Sequence, residues 1–193
     1  MPFLLPPLHG LVMSGGHSTR MGEDKALIEY AGVPQLLATW RLLQPWVADC
    51  FVSLREDQRA EPVRHALPGI VDTLHGIGPA AGLLAAHAVH PEAAWLVVAC
   101  DLPRLQASTL AVLVQARDGQ HAAIVYADAH DGFAEPLCTV WEPAALYALA
   151  GQVNLGQYGL RDALSQINVL RLPAPADRSL LNINTPPERA ALD

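Results

Sequence analysis

Lysine is almost missing from this 193-residue sequence, whose twelve basic residues are eleven arginines and one lysine, Lys25. Charge of either sign is sparse, at 16% Asp, Glu, Lys and Arg, and the balance is acidic, with a formal net charge of −7. Nucleic-acid backbones are bound by surfaces rich in cations, so this composition argues against a nucleic-acid partner. Any affinity for phosphate then has to be local, and a metal ion is the expected helper. No window reaches the ~18 uninterrupted apolar residues of a membrane span. The start, MPFLLPPLHG, is short, proline-rich and without the basic region of a signal peptide. These absences predict a cytoplasmic protein with no membrane partner. Cysteine is scarce as well. Cys50, Cys100 and Cys138 are odd in number, far apart and set in apolar runs, which suits buried reduced thiols rather than a disulfide framework. A Gly-x-Ser-x-Gly elbow is absent, and covalent catalysis has no obvious nucleophile.

Apolar residues, at 51%, are plentiful enough for a full core, and the length predicts a single domain over 1–193. The chain is organised around LVMSGGHSTRMGEDK, from Leu11 to Lys25. A buried strand over Leu11, Val12 and Met13 runs into Ser14, Gly15 and Gly16, where missing side chains let backbone N–H groups approach an anion. Arg20 and Lys25 then add two cations, and His17 lies between. The ammonium is a compact point charge suited to phosphate oxygens, whereas guanidinium is a wide planar fork. The glycine spacing, and Ala26 after Lys25, exclude a Walker A loop; adjacent Gly15 and Gly16 exclude the dinucleotide fingerprint. The spacing therefore describes a third kind of loop for a nucleoside triphosphate. The plainer alternative is a Gly-rich connection with solvated cations.

Further along, Ala26 to Tyr30 reads as extended, and Pro34 opens a helix to Gln44 with Leu36, Leu37, Trp40 and Leu43 on one face. Asp49 to Leu54 is a second strand, a short helix ends near His65, and Leu67 to Asp72 is a third strand. A glycine-containing loop and Pro79 lead into an alanine-rich helix to His90, presenting N–H groups at its start. Ala94 to Cys100, AWLVVAC, is apolar throughout, as in a central parallel strand buried on both faces. A helix over Leu105 to Arg117 and strands over Ala122–Tyr126 and Pro136–Trp141 follow. The second of these strands is antiparallel, since no crossover helix precedes it. Helices near 143–150 and 158–166, a strand over Ile167–Leu172, an extended piece from Leu180 to Ile183 and a helix after Pro186 complete the chain. The alternation predicts an α/β fold, a three-layer α/β/α sandwich on a mainly parallel, Rossmann-like sheet with an antiparallel strand.

Ligands of open α/β sheets bind outside the carboxyl ends of the strands, which selects the first loop, Asp72 and Asp101. Asp101, directly after an apolar strand, needs a partner to stay ionised, and Mg²⁺ is one that works through one or two carboxylates plus phosphates. Asp101 as a cap of the next helix is the alternative, and Asp72 also suits a turn. His87 and His90 lack companion metal ligands.

SGGHSTRMGEDKALI resembles the L-A-G-G-x-S-x-R-M-G-x-D-K-A-L signature of molybdenum cofactor guanylyltransferases (MobA), within the α/β nucleotidyltransferases. GIGPAAGLLAA, VACDLPRL, EPLCTVWEP and LNINTPPE resemble the family's later segments in the family's order, out to Glu188. The resemblance implies transfer of GMP from GTP to the phosphate of molybdopterin or the molybdenum cofactor, with Mg²⁺ and release of pyrophosphate. It also implies contact with other cofactor-biosynthesis proteins or recipient molybdoenzymes. Carried over by position, Met13, Ser14, Gly15 and Gly16 contact the nucleotide, Lys25 its phosphates with Arg20 beside it, Asp72 the nucleoside and Asp101 the metal. Lys25, Asp101 and Arg20 form the catalytic set. Asn182 and Asn184 match the pterin segment, although without the family a turn before the helix at Pro186 is the favoured reading. Lys25 is expected on one side of the triphosphate and Asp101 opposite. Two positions depart from the pattern: Ser14 replaces the usual alanine, and Arg55 stands where an asparagine commonly contacts the nucleotide. Cys-Asp-Leu-Pro and the paired glycines fit the guanylyl branch better than the cytidylyl one. A cytidylyl or sugar-phosphate transferase and an inactive nucleotide-binding module are the competing readings.

Overall fold

The computed structural model describes residues 5–14, 24–127, 132, 134–177 and 179–181. Its frame is a seven-stranded sheet in the order β5-β4-β1-β6-β8-β7-β9. The strands are β1 (Leu8–Met13), β4 (Cys50–Leu54), β5 (Gly69–Val71), β6 (Ala94–Ala99), β7 (Ala123–Ala127), β8 (Ala134–Trp141) and β9 (Val169–Leu172). β8 runs antiparallel to both its neighbours, β6 and β7, and every other pairing is parallel. The antiparallel strand is thus the one the sequence singles out by its missing crossover. A separate hairpin joins β2 (Glu29–Tyr30) to β3 (Val33–Pro34).

Alternation on β6 shows why an unbroken apolar run is required there. Leu96 and Val98 point into a core shared with Leu36 and Leu43 of α1 (Gln35–Leu43) and Leu110 and Leu113 of α4 (Ala107–Gln115). Trp95 and Val97 point into the opposite core, with Leu83 of α3 (Ala80–Val89), Leu146 and Leu149 of α5 (Pro143–Asn154) and Leu160 of α6 (Leu160–Ser165). Successive residues of a strand face opposite sides, so helices on both faces leave no polar position. The result is the α/β/α sandwich. The short α2 (Pro62–His65) follows β4.

Several boundaries differ from the sequence reading. β1 starts at Leu8 rather than Leu11, because the backbone ladder to β6 pairs Leu8 with Ala94. Gly10 fits inside the strand since a Cβ there would press on Cys50 Sγ at 3.0 Å. Residues Lys25–Leu27 form a 3₁₀ turn rather than an extended start, because the Asp24 side chain accepts from Ala26 N–H. α5 continues to Asn154. Beyond it, the amide of Gln152 donates to the carbonyls of Gln157 and Gly159 at 3.3 and 3.1 Å, which closes the turn into α6. The three cysteines are free and buried. Of the final extended piece only Leu180 and Leu181 are described; the helix expected after Pro186 lies outside the described residues.

Arg117 ties the far end of the sheet. Its guanidinium forks onto Glu142 at 2.7 and 3.1 Å and donates to the Pro6 carbonyl at 3.0 Å. Both side chains are over nine-tenths buried. Arg117→Ala leaves a buried carboxylate without its partner and is expected to cost about 3–5 kcal/mol, read as a lower urea midpoint at unchanged m.

Candidate active site

The strand order reverses at β1: the chain first adds β4 and β5 on one side, then places β6 on the other. Such a switch point opens a crevice at the carboxyl ends of the two strands. The last residues of β1 and β6, Met13 and Ala99, lie side by side in register, so Ser14 and Asp101 emerge into the same crevice. A cavity of about 540 Å³ occupies it, lined by Met13, Ser14, Asp24, Lys25, Ser53, Arg55, Asp72, His75 and Asp101 among others. That volume falls in the range of ordinary small-molecule sites.

Lys25 and Asp101 do not face each other across this space. Lys25 Nζ is 3.6 Å from Asp101 Oδ2, and the two side chains are 20% and 24% exposed. The lysine opens the 3₁₀ turn Lys25–Leu27, and its ammonium reaches the carboxylate that follows β6. Burial pushes the Asp101 carboxyl above its ordinary range, and the nearby Lys25 ammonium opposes that shift. Asp101 does not cap the following helix; Gln106 occupies that position.

Asp72 follows β5 and accepts a hydrogen bond from Ser53 Oγ at 2.8 Å. Burial raises its pKa, while the Ser53 bond, Arg55 and His75 pull it down. Arg55 follows β4 and forks its guanidinium onto Asp57 at 2.9 and 3.0 Å. The loop after Asp72 contains Gly76 and Gly78 at φ of 75° and 62°, left-handed geometry in which a Cβ is strained. It delivers the chain to the N-terminus of α3, where Pro79 offers no side-chain cap.

Gly82 is held there by contact. A Cβ on it would overlap Ser53 Oγ and lie 2.8 Å from Met13 Cε. Gly82→Ala is expected to turn the Ser53 hydroxyl away from Asp72 and to cost roughly 1–3 kcal/mol of stability. The loss is read as a lower Tm; a variant as stable as the parent would refute the packing argument.

Gly15, Gly16, His17 and Arg20, expected on the phosphate loop, and Asn182 and Asn184, expected on the pterin side, lie outside the described residues. The structure brings together Met13, Ser14, Lys25, Arg55, Asp72 and Asp101 around one cavity.

Residues 10–171 match the family described as the MobA-like NTP transferase domain. This chain belongs to that family. It is 33% identical over 180 residues to a molybdenum cofactor biosynthesis bifunctional protein of Synechocystis, covering 93% of this chain and 52% of that protein, about half its length. A molybdenum cofactor guanylyltransferase of Pseudomonas putida is 32% identical over 190 residues, covering 96% and 97% of the two chains. The crystal structure of molybdopterin-guanine dinucleotide biosynthesis protein A from Archaeoglobus fulgidus superposes with a TM-score of 0.79 over 95% of both chains, at 24% identity, which speaks to the fold. In this MobA-like domain the switch-point cavity lies where open α/β sheets bind their ligands, at the carboxyl ends of β1 and β6.

Sequence reasoning overlooked Arg64, Ser53 and His75. Ser53 and His75 line the cavity. Arg64 is 1% exposed, and its Nε donates to Ser14 Oγ at 3.2 Å. That bond explains the departure at position 14: an alanine would leave the buried guanidinium without this acceptor. The available signal was the pairing itself, a hydroxyl at 14 and an arginine on the short helix, and neither residue is informative alone.

Proposed function

We propose that this chain transfers GMP from GTP to the terminal phosphate of molybdopterin or its molybdenum-loaded form, releasing pyrophosphate and forming the guanine dinucleotide cofactor. The observation that carries the reading is the Lys25–Asp101 pair at 3.6 Å on the rim of the switch-point cavity. The names of the guanylyltransferase relatives support the acceptor and the nucleotide.

An acceptor phosphate oxygen attacks the α-phosphorus of GTP while the bond from that phosphorus to its bridging oxygen breaks. The electron pair leaves with pyrophosphate, so no protein nucleophile is required. The protein's task is to align the reactants and to neutralise charge that develops on the phosphates. Lys25 does the second with a compact ammonium. Asp101 fits a divalent cation, because its carboxylate is buried enough to be unfavourable when charged and is open towards the cavity. Mg²⁺ held by Asp101 and phosphate oxygens would supply further neutralisation of the triphosphate. Among the described residues no group of three or more His, Cys, Asp or Glu could hold a metal ion. On this reading Asp72, which accepts from Ser53 Oγ, and Arg55 contact the nucleoside.

The experiment is incubation with each of the four NTPs, Mg²⁺ and molybdopterin, assaying pyrophosphate and the dinucleotide. Product with GTP alone is expected. Arg55, in place of the family's usual asparagine, makes base selectivity the point to watch. Product with CTP alone would replace the guanylyl reading by the cytidylyl one, and binding without pyrophosphate release would indicate an inactive module.

A further inference from the structure

Among the described residues Arg64, 1% exposed, is the most deeply buried charged side chain outside the cavity lining. It lies on α2, outside the cavity lining but in contact with Ser14 and Asp24, which belong to that lining, and each of its three nitrogens has a partner. Nε donates to Ser14 Oγ at 3.2 Å, the NH2 group donates to the Ser14 carbonyl at 3.2 Å and to Asp24 Oδ2 at 2.8 Å, and NH1 meets Glu61 Oε2 at 3.4 Å. Ser14 ends β1, and Asp24 precedes Lys25. One guanidinium therefore holds the described residues on both sides of the glycine-rich segment.

Each tie continues toward the site. Ser14 Oγ donates onward to the Ser53 carbonyl at 2.8 Å, fixing the end of β1 to β4. Asp24 uses its other oxygen, Oδ1, to accept from Ala26 N–H at 3.1 Å, which caps the 3₁₀ turn that carries Lys25. Glu61 caps α2 by accepting from Val63 and Arg64 N–H, both at 2.9 Å, so the arginine's own helix is anchored. The path runs from Arg64 through Asp24 to the turn, and from the turn to the ammonium beside Asp101.

Stability alone gives a poor account of this arrangement. Moving the guanidinium out of water costs free energy that an apolar side chain of similar volume avoids, so a buried charge in an ion pair is often neutral or worse against a hydrophobic replacement. What such a group does supply is geometry. A planar fork can hold two points of the chain at a set separation, and an ammonium, a point charge on a flexible stem, cannot.

We propose that Arg64 is a positioning residue for the triphosphate: by binding Ser14 and Asp24 together, it sets where Lys25 stands relative to the end of β1. The inference rests on the nucleotidyltransferase function proposed above. It predicts an effect on the nucleotide side that is absent on the acceptor side, because the ties lead to Lys25 and Ser14.

The test compares wild type, Arg64→Lys, Asp24→Asn and the double variant in steady-state kinetics, varying GTP and molybdopterin separately and recording Tm for each. Arg64→Lys is expected to raise the KM for GTP about tenfold, with the KM for molybdopterin unchanged. Asp24→Asn should show the same selective rise, and the double variant should be little worse than either single one, since both break the same tie. A wild-type KM for GTP in Arg64→Lys overturns the proposal. So does an equal rise in both KM values, or additivity in the double variant, since each describes general loosening of the fold. If Arg64→Lys does not fold, Asp24→Asn carries the same comparison, and a wild-type KM for GTP there overturns it. Wild-type protein releasing no pyrophosphate with any NTP would instead refute the proposed function, which separates the two failures.

Discussion

Asp101→Asn is expected to remove most of the turnover and, at the same time, to make the nucleotide-free protein more stable at neutral pH. The first effect follows from losing the charged carboxylate offered to the metal–triphosphate, and ~10²-fold or more in kcat is the scale for removing one such electrostatic element. The second follows from proton linkage. Burial raises the folded pKa of Asp101 above its ordinary value of 3.8, even with Lys25 pulling it down. A raised carboxyl contributes stability that is full below the unfolded pKa and is lost as pH rises through the folded pKa. At neutral pH the charged form is thus a net cost in the empty protein, and an uncharged asparagine removes it. The gap in Tm between Asp101→Asn and wild type should widen from pH 4 to pH 7. A folded variant with wild-type rates would sink the role given to Asp101; a variant that loses stability relative to wild type as pH rises would sink the electrostatic account.

Lys25→Arg should be nearly as damaging as Lys25→Ala, with turnover down by ~10²-fold. Conserving the charge is insufficient because the two cations differ in shape. The ammonium sits 3.6 Å from Asp101 on a capped turn, mostly buried, and a broad planar guanidinium has to displace its neighbours to occupy that space. The chain's own composition makes the contrast sharp, since eleven other positions use arginine. Removing the ammonium also has an effect on its neighbour. Lys25 opposes the upward shift of Asp101, so Lys25→Ala lets that pKa climb further. The acid limb of the pH–rate profile should accordingly move to higher pH in Lys25→Ala. A limb in the same place would show that the two groups do not couple, and Lys25→Arg at wild-type rates would show that only charge matters.

Much of this architecture was legible because it is local. Apolar runs bounded by proline and glycine mark the strands, and the position of a carboxylate immediately after such a run follows from the same pattern. Asp72 and Asp101 could be placed at strand ends because strands end where the run ends, and β8 could be called antiparallel because the chain before it is too short for a crossover. Boundaries slipped where a side-chain cap or a backbone ladder overrode the pattern. Asp24 converts the residues after it into a 3₁₀ turn, and the ladder to Ala94 draws Leu8 into β1.

By itself the sequence determined the alternation of strands and helices, the mainly parallel sheet, and the set of residues that end its strands, since each depends on neighbours along the chain. Only the tertiary structure decided that Lys25 touches Asp101 rather than facing it, that Ser14 is an acceptor, and that Arg64 is inside. Those facts depend on which segments are brought together. A guanidinium reads as a surface group in any sequence window, and it becomes a buried tie only where Ser14 and Asp24, distant in the chain, join the local Glu61 around it.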